Sequence, residues 1–196
     1  MSVKLAIFDM DGTIFESFLD WPRIRKNLGL ENRNILQAIY RSGRVDHRKL
    51  SLLEKYEREN TLKAKPIRGI KSFLSFLDTR QVKPVLVTNN NKSNTEFLLN
   101  KFRLKFHDLV TRESGLWKPD PDAFLTLMKR FSVNPAETIS IGDSLFDIQA
   151  SKSADITDIF IKINRNKPID TQTDVDYFID YVELKQTIQA RYFPKP

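Results

Sequence analysis

The chain has 196 residues, of which 40% are hydrophobic and 29% charged, a composition typical of one globular core with room for a modest insertion. It contains no cysteine, which excludes disulfides, thiolate catalysis and cysteine-built metal sites, and which fits the cytoplasmic location that we expect. Its net charge is +7, and residues 19–65 hold twelve Lys and Arg against six Asp and Glu, so nearly all of the excess lies in one segment.

Short apolar runs rich in β-branched residues mark the predicted strands. Several are apolar almost throughout, as strands buried on both faces of a parallel sheet are. No run approaches the length of a membrane span, so we expect no membrane association. The predicted strands span Val3–Phe8, Pro84–Thr88, Asp108–Thr111, Thr138–Gly142 and Ile156–Ile163, and a further run over Val175–Ile179 can form a sixth.

Helical patterns separate these runs along the chain. Apolar residues recur at helical spacing over Ile70–Leu77 and Asn94–Phe102, and Asp120-Pro121-Asp122 opens another helix. Phe146–Ala150 lies in a further helix, and Tyr181–Tyr192 forms the last one. Strands that alternate with helices at this spacing predict an α/β fold with a parallel sheet.

Residues 19–65 interrupt this alternation. They contain no convincing strand, and their basic character favours either a surface for an anionic ligand or a solvated helical face. We predict an α/β core over 1–18 and 66–196 and a helical cap over 19–65, with Gly43 ending the second cap helix. The three predicted cap helices are Ile24–Leu28, Ile35–Tyr40 and Leu50–Tyr56.

Two carboxylates follow the first predicted strand, in Asp9-Met10-Asp11-Gly12-Thr13. Residues two apart at a strand end can point into one cleft. Because like charges resist ionising together, one acid can remain an anion while the other keeps a proton to give away. A nucleophile and a general acid/base need these two states, although a single Asp-X-Asp-Gly is also an ordinary solvated turn.

Polar groups also follow later strands. The Thr88 hydroxyl, in Thr88-Asn89, can donate to phosphate oxygens, and Lys118, in Lys118-Pro119, can neutralise a phosphoryl group. A helix N-cap and a surface lysine at a helix start are the plainer alternatives.

Asp143 and Asp147 lie four residues apart at the start of a predicted helix and share one helical face. Oxygen ligands in an acidic cleft suit Mg²⁺, which keeps several waters and binds a substrate phosphate oxygen. The same acids can instead favour the helix dipole. All of these groups fall at the carboxyl ends of predicted strands, where open α/β sheets bind ligands.

The order Asp-X-Asp-Gly-Thr, Thr-Asn, Lys-Pro and Gly-Asp-Ser-X-X-Asp resembles the motif set of the haloacid dehalogenase-like superfamily of phosphohydrolases. The resemblance covers essentially the whole chain, and the helical insertion looks like that superfamily's small type 1 cap. It implies a Rossmann-like three-layer core with a parallel sheet, and a Mg²⁺-dependent phosphatase.

Carried over residue by residue, the resemblance implies a covalent mechanism. Asp9 attacks phosphorus and forms an aspartyl-phosphate, while Asp11 protonates the leaving oxygen and later deprotonates the attacking water. Thr88 and Lys118 hold the phosphoryl group, and Asn89 binds substrate beside them.

The cofactor that the resemblance implies is Mg²⁺. Its ligands are Asp9, the backbone carbonyl of Asp11, and Asp143. Asp147 is either a further ligand or an orienting group for Lys118.

The cap is expected to select the substrate. Arg23, Arg25 and Arg44 can grip a carboxylate or second phosphate, although each can equally be a solvated surface charge. We expect a small anionic phosphate ester of the phosphoglycolate or sugar phosphate type. A sugar phosphomutase of the β-phosphoglucomutase type and a non-catalytic binding protein remain alternatives. No nucleic-acid partner is expected, and the sequence leaves monomer and dimer open.

Overall fold

A parallel sheet organises the protein, whose computed structural model describes residues 2–30, 34–164 and 174–194. The strands are β1 (Leu5–Phe8), β2 (Lys83–Val87), β3 (Asp108–Val110), β4 (Thr138–Gly142), β5 (Asp158–Lys162) and β6 (Asp176–Phe178). They lie in the order β3-β2-β1-β4-β5-β6, and each neighbouring pair is parallel. The predicted α/β fold with a parallel sheet is confirmed, and the sixth run forms an edge strand.

Helices connect the strands and also make up the insertion. They are α1 (Trp21–Leu28), α2 (Ile35–Ile39), α3 (His47–Lys63), α4 (Ile70–Thr79), α5 (Lys92–Phe102), α6 (Asp122–Phe131), α7 (Leu145–Ser153) and α8 (Tyr181–Tyr192). Within the described part of the chain, none of them is both long enough and apolar enough to cross a membrane.

The sheet has an apolar layer on each face. Successive side chains of a strand point to opposite faces, so Leu5 and Ile7 of β1 share one side. They belong to a buried cluster that includes Phe124 of α6. The ring of Phe8 lies 6.1 Å from that of Phe73 in α4. Helices therefore cover both faces, which gives the three-layer core that the sequence resemblance implies.

The register brings the central strands to a common end. Phe8, the last residue of β1, pairs with Leu86 of β2 and with Ile141 of β4. The chain therefore leaves β1, β2 and β4 at the same carboxyl edge. This edge is where an open α/β sheet binds its ligands.

The chain divides into two compact units, residues 1–16 with 65–196 and residues 17–64. Two segments of the larger unit run side by side where the smaller one is inserted. The Glu16 N–H donates to the Lys65 carbonyl at 2.8 Å, and the Ile67 N–H donates to the Ile14 carbonyl at 2.8 Å. The insertion expected after the first strand is present as a helical unit.

The helices of the smaller unit end at identifiable residues. α1 follows Asp20, whose side chain accepts a hydrogen bond from the Arg23 N–H, and is capped at its carboxyl end by Gly29, which has a φ of 66°. The prediction that Gly43 ends the second helix is wrong. α2 ends at Ile39, a 3₁₀ turn follows, and Gly43 adopts a φ of 74° at the end of that turn.

Candidate active site

The carboxyl edge of the sheet gathers the acids and the hydroxyl that the sequence points to. Asp9 directly follows β1, Thr88 follows β2 and Asp143 follows β4. Because these strands are neighbours, the three residues share one edge. Lys118 reaches them from the segment before α6.

Lys118 lies in a buried ion pair with two acids. Its Nζ is 2.5 Å from Asp9 Oδ1 and 2.6 Å from Asp147 Oδ1, and the residue is only 3% exposed. Burial alone would lower the pKa of Lys118, but attraction to Asp147 and Asp9 outweighs burial and holds that pKa above its ordinary value. The ammonium group therefore stays charged, where it can attract a phosphoryl group.

Asp9 combines burial with an unused oxygen. Burial raises the pKa of Asp9 to about 7, against the attraction of Lys118, and the nearby Asp147 and Asp143 raise it further. Its Oδ2 is buried and has no hydrogen-bond partner among the described residues. A buried oxygen without a partner costs free energy, so this atom is suited to meet either phosphorus or a cation.

Asn89 holds the backbone of Lys118. Its Oδ1 accepts from the Lys118 N–H at 3.0 Å, and its Nδ2 donates to the Lys118 carbonyl at 2.9 Å. Arg112 Nε in turn donates to the Asn89 carbonyl at 3.1 Å. The amide of Asn89, which the sequence assigns to substrate binding, is thus engaged with protein backbone. The peptide bond between Lys118 and Pro119 is cis.

Both carboxylate oxygens of Asp147 have protein partners. Oδ1 accepts from Lys118, while Oδ2 accepts from the Ser144 hydroxyl at 2.5 Å and from the Ser144 N–H at 3.0 Å. The Asp143 N–H lies 3.3 Å from the same Oδ2. Of the two roles open from the sequence, these contacts favour the orienting group for Lys118 over a direct metal ligand.

Three carboxylates could hold a metal ion together. One oxygen from each of Asp9, Asp143 and Asp147 lies within 4.8 Å of the others. Asn164 Nδ2 donates to Asp143 Oδ2 at 2.8 Å, which fixes the orientation of that acid. Carboxylate oxygens in a buried setting, one of them unpartnered, fit a hard divalent cation such as Mg²⁺.

Two glycines make room for these acids. A Cβ on Gly12 would lie 2.1 Å from Asp143 Oδ2, and Gly12 has a φ of 90°. A Cβ on Gly142 would lie 2.4 Å from the Asp147 Cβ. Both positions therefore exclude a side chain, since real Cβ atoms do not approach so closely.

Asp11 and Thr88 lie beside this centre. Asp11 Oδ2 accepts from Asn90 Nδ2 at 2.8 Å. Thr88 is 2% exposed, and its hydroxyl oxygen accepts from the Asn90 N–H at 3.1 Å. The hydroxyl hydrogen of Thr88 can therefore donate to a phosphate oxygen. The backbone N–H of Thr88 cannot, because it donates to the Val110 carbonyl at 2.9 Å.

Sequence reasoning missed three residues with direct contacts to the acids, namely Asn90, Ser144 and Asn164. Asn164 stands just beyond β5, at the same sheet edge, and its Nδ2 also lies 3.3 Å from the Gly12 carbonyl. The rule that led to Asp143 applies equally to a polar residue after the next strand. Its application to β5 would have found Asn164, whereas the Asn90 contact depends on side-chain orientation.

The three arginines assigned to substrate belong to the smaller unit. Arg23 and Arg25 lie on α1, and Arg44 follows the 3₁₀ turn after α2. Arg23 lines a cavity of about 220 Å³ within this unit, together with Phe18 and Tyr56. Their role in substrate binding stays a prediction.

Comparison with known proteins finds one family model and several hydrolases that match this chain. The model of the haloacid dehalogenase-like hydrolase family matches residues 18–161. An uncharacterised hydrolase of Saccharomyces cerevisiae is 26% identical over 203 residues, which cover 95% of this chain and 91% of the yeast protein. A phosphoglycolate phosphatase of Pseudomonas putida is 26% identical over 202 residues, which cover 87% of this chain and 74% of that enzyme.

A solved structure shares the fold. A phosphatase of the same family from Thermococcus onnurineus superimposes with a TM-score of 0.68 at 23% identity, covering 95% of this chain and 98% of the other. The family match begins after Asp9 and Asp11 and includes Thr88, Lys118 and Asp143. The assignment of Asp9 and Asp11 to the site therefore relies on their positions beside these residues in the structure.

Proposed function

The chain belongs to the haloacid dehalogenase-like hydrolase family, and from that premise we propose that it is a Mg²⁺-dependent phosphatase acting on a small anionic phosphate monoester. One observation carries the proposal: Asp9 presents a buried, unpartnered Oδ2 while Lys118 holds its other oxygen at 2.5 Å. A nucleophile needs one oxygen fixed and the other available.

The first step is attack of Asp9 Oδ2 on phosphorus. The bond from phosphorus to the leaving oxygen breaks, and Asp11 gives its proton to that oxygen. The product is an aspartyl-phosphate on Asp9 and a free alcohol. Lys118 neutralises charge on the phosphoryl oxygens, and the Thr88 hydroxyl donates to one of them.

The second step is hydrolysis of the aspartyl-phosphate. Asp11, now a carboxylate, takes a proton from a water molecule as the water oxygen bonds to phosphorus. The bond between phosphorus and Asp9 breaks, which releases inorganic phosphate and restores the enzyme. The same acid thus works in both directions.

Asp9 and Asp143 are proposed to hold the metal, with the backbone carbonyl of Asp11 as the ligand that the family resemblance adds. A bound Mg²⁺ offsets negative charge on the phosphate and the attacking acid. Asp147 is proposed to orient Lys118, because its two oxygens already accept from Lys118 and Ser144.

The substrate is proposed to carry a second anionic group, such as the carboxylate of phosphoglycolate, or a sugar. The Pseudomonas putida relative is named a phosphoglycolate phosphatase, which favours this class. The basic segment 19–65 supplies arginines, among them Arg23, Arg25 and Arg44, that suit an anion.

The test is hydrolysis of p-nitrophenyl phosphate with Mg²⁺ and after its removal by EDTA. Asp9→Asn is expected to lower kcat about a thousandfold or more, because the amide cannot act as the nucleophile. Asp78→Asn, an exposed acid on α4, is the matched control and should keep full activity. A folded Asp9→Asn protein with wild-type activity would contradict the mechanism.

A panel of phosphoglycolate and hexose phosphates then separates a phosphatase from a phosphomutase. Release of inorganic phosphate in step with loss of the ester supports the phosphatase. Isomerisation of a sugar phosphate with little phosphate release would replace it with the mutase.

A further inference from the structure

Asn90 is a buried polar residue that the mechanism above does not use. It follows Thr88 and Asn89 at the end of β2 and is 3% exposed. Its N–H donates to Thr88 Oγ1 at 3.1 Å, and its carbonyl accepts from the Arg112 N–H at 3.0 Å. The backbone is bound on both sides, so the side chain starts from a fixed point.

The amide of Asn90 has one possible orientation. Its Oδ1 accepts from the Asn91 N–H at 2.8 Å and from Asn94 Nδ2 at 3.2 Å. Backbone N–H groups only donate, so the atom facing Asn91 must be the oxygen. The NH₂ end therefore points the other way, to Asp11 Oδ2 at 2.8 Å.

We propose that Asn90 is a positioning residue that holds the Asp11 carboxyl group in the orientation needed for proton transfer, an inference that rests on the proposed phosphatase function. The donor is neutral and does not titrate, so it restrains one oxygen of Asp11 without competing for its proton. In both steps of the reaction the proton moves between Asp11 and oxygen atoms of the substrate or water. Asn90 gains and loses none.

The contact also explains why three asparagines follow Thr88 in a row. Asn89 binds the backbone of Lys118, Asn90 binds Asp11, and Asn91 caps α5 by accepting from the Asn94 N–H at 2.8 Å. Each has a different partner, and only that of Asn90 is the proposed general acid/base. Loss of Asn90 should therefore act on turnover more than on substrate binding.

The experiment is a double-mutant cycle between Asn90 and Asp11, followed by kcat and KM on p-nitrophenyl phosphate. Asn90→Ala in the wild-type background is expected to lower kcat about ten- to a hundredfold, with KM within about threefold, because Asp11 is misplaced. In the Asp11→Asn background the same change should cost less than about twofold, because no proton transfer remains to be aligned.

Two further variants show whether a lower kcat in Asn90→Ala reflects misfolding instead of a misplaced Asp11. Asn90→Asp keeps the shape and the oxygen facing Asn91 but places a carboxylate against Asp11, and it should lower kcat at least as much as Asn90→Ala. Thr95→Val, on the next turn of α5, removes a buried hydroxyl that donates to the Asn91 carbonyl at 2.8 Å and should leave kcat unchanged. Urea unfolding shows whether each variant is folded.

The outcomes separate the two proposals. Equal losses from Asn90→Ala in both backgrounds, or none in the wild type, overturn the positioning role while the phosphatase stands. If wild-type protein releases no phosphate, the proposed function fails. The contact between Asn90 and Asp11 is then tested by NMR: the side-chain amide resonances of Asn90 should shift in Asp11→Asn. Unchanged resonances would overturn the positioning role of Asn90.

Discussion

Lys118 keeps its charge although it is almost fully buried, because Asp147 and Asp9 attract the ammonium group. The side chain of Lys118 is 4% exposed, and those of Asp9 and Asp147 are 10% and 2% exposed. The two acids lie in short contact with the ammonium group. Removal of this cation leaves the two acids facing each other in surroundings that solvate a carboxylate poorly.

Lys118→Met is therefore expected to abolish activity and to lower the free energy of unfolding by about 3 kcal/mol at neutral pH. The matched control is Lys4→Met, which breaks the pair between Lys4 Nζ and Glu137 Oε1, where the lysine side chain is 55% exposed. An exposed pair contributes less than about 1 kcal/mol. Urea unfolding of both variants measures the difference, and equal losses would contradict this account.

Asp9 is expected to destabilise the metal-free protein at alkaline pH. Its pKa is raised to about 7 from an ordinary 3.8, so the folded state holds a proton that the unfolded state has released. The stability linked to that proton is full below about pH 4 and lost as pH rises through about 7. Asp9→Asn removes this loss.

In EDTA at pH 8, the free energy of unfolding of Asp9→Asn, measured with urea, should exceed that of wild type by about 4 kcal/mol. At pH 5 the difference should fall to about 1.5 kcal/mol, because folded Asp9 then keeps its proton and only the unfolded state has released it. Addition of Mg²⁺ should reverse the order at pH 8 by stabilising wild type. A variant less stable than wild type at pH 8 in EDTA would refute this reasoning.

At the scale of single residues, the sequence predicts which acids meet but not what holds them. Asp9 and Asp143 follow strands, and strand ends in a parallel sheet converge whatever the side chains do. The contact between Asn90 and Asp11, by contrast, depends on which way the amide of Asn90 rotates. No spacing in the sequence encodes that rotation, since it follows from the finished packing.

At the scale of elements, the turn after β1 is tied to the one after β4. Gly12 adopts a φ of 90°, and a Cβ there would lie 2.1 Å from Asp143 Oδ2. Gly115 also has a positive φ, of 76°, but a Cβ there meets nothing within 4 Å. Both glycines have a positive φ, but of the two only Gly12 lies against another side chain. Gly115 is therefore the matched control for Gly12.

Gly12→Ala should weaken Mg²⁺ binding at least about tenfold, since the added carbon displaces a proposed ligand. Gly115→Ala should leave Mg²⁺ affinity unchanged and cost only the strain of a left-handed alanine, about 1 kcal/mol. Isothermal titration with Mg²⁺ and urea unfolding give both quantities. Unchanged affinity in Gly12→Ala would argue against Asp143 as a ligand.

Strands were easier to predict than helix ends, for a physical reason. A strand covered on both faces is buried throughout, as β1 and β4 are, and β1 is also apolar at every position. The prediction for the third cap helix covered Leu50–Tyr56, whereas α3 continues to Lys63. The extra turns bury Glu57, Asn60 and Thr61 instead of apolar residues, so no hydrophobic pattern reports them.

At the scale of the whole molecule, the basic segment of the sequence nearly coincides with one of the two compact units. Residues 19–65 hold twelve basic against six acidic residues, and the compact helical unit spans 17–64. The predicted segment and the observed unit differ by one or two residues at each end, because the connecting segments carry no hydrophobic pattern of their own. The proposed role of this unit in substrate choice does not follow from its composition, since a solvated face needs the same charges.

Arg23→Ala provides a test of the smaller unit. Because Arg23 lines its cavity, the change should raise KM for phosphoglycolate about tenfold while KM for p-nitrophenyl phosphate stays within about twofold. Arg48→Ala, an exposed arginine on α3, removes the same charge elsewhere and should affect neither substrate. Equal effects from the two variants would mean that net charge alone attracts the ester.

The strand order has a consequence for how the protein is made on the ribosome. β1 lies between β2 and β4, and β4 begins 130 residues after Phe8. At a synthesis rate of about 5–20 residues per second, β1 of the nascent chain lacks its neighbour β4 for roughly 6 to 26 s. The helical unit is complete well before then and can fold first, whereas the residues proposed to perform the chemistry assemble only when synthesis has passed Asp143.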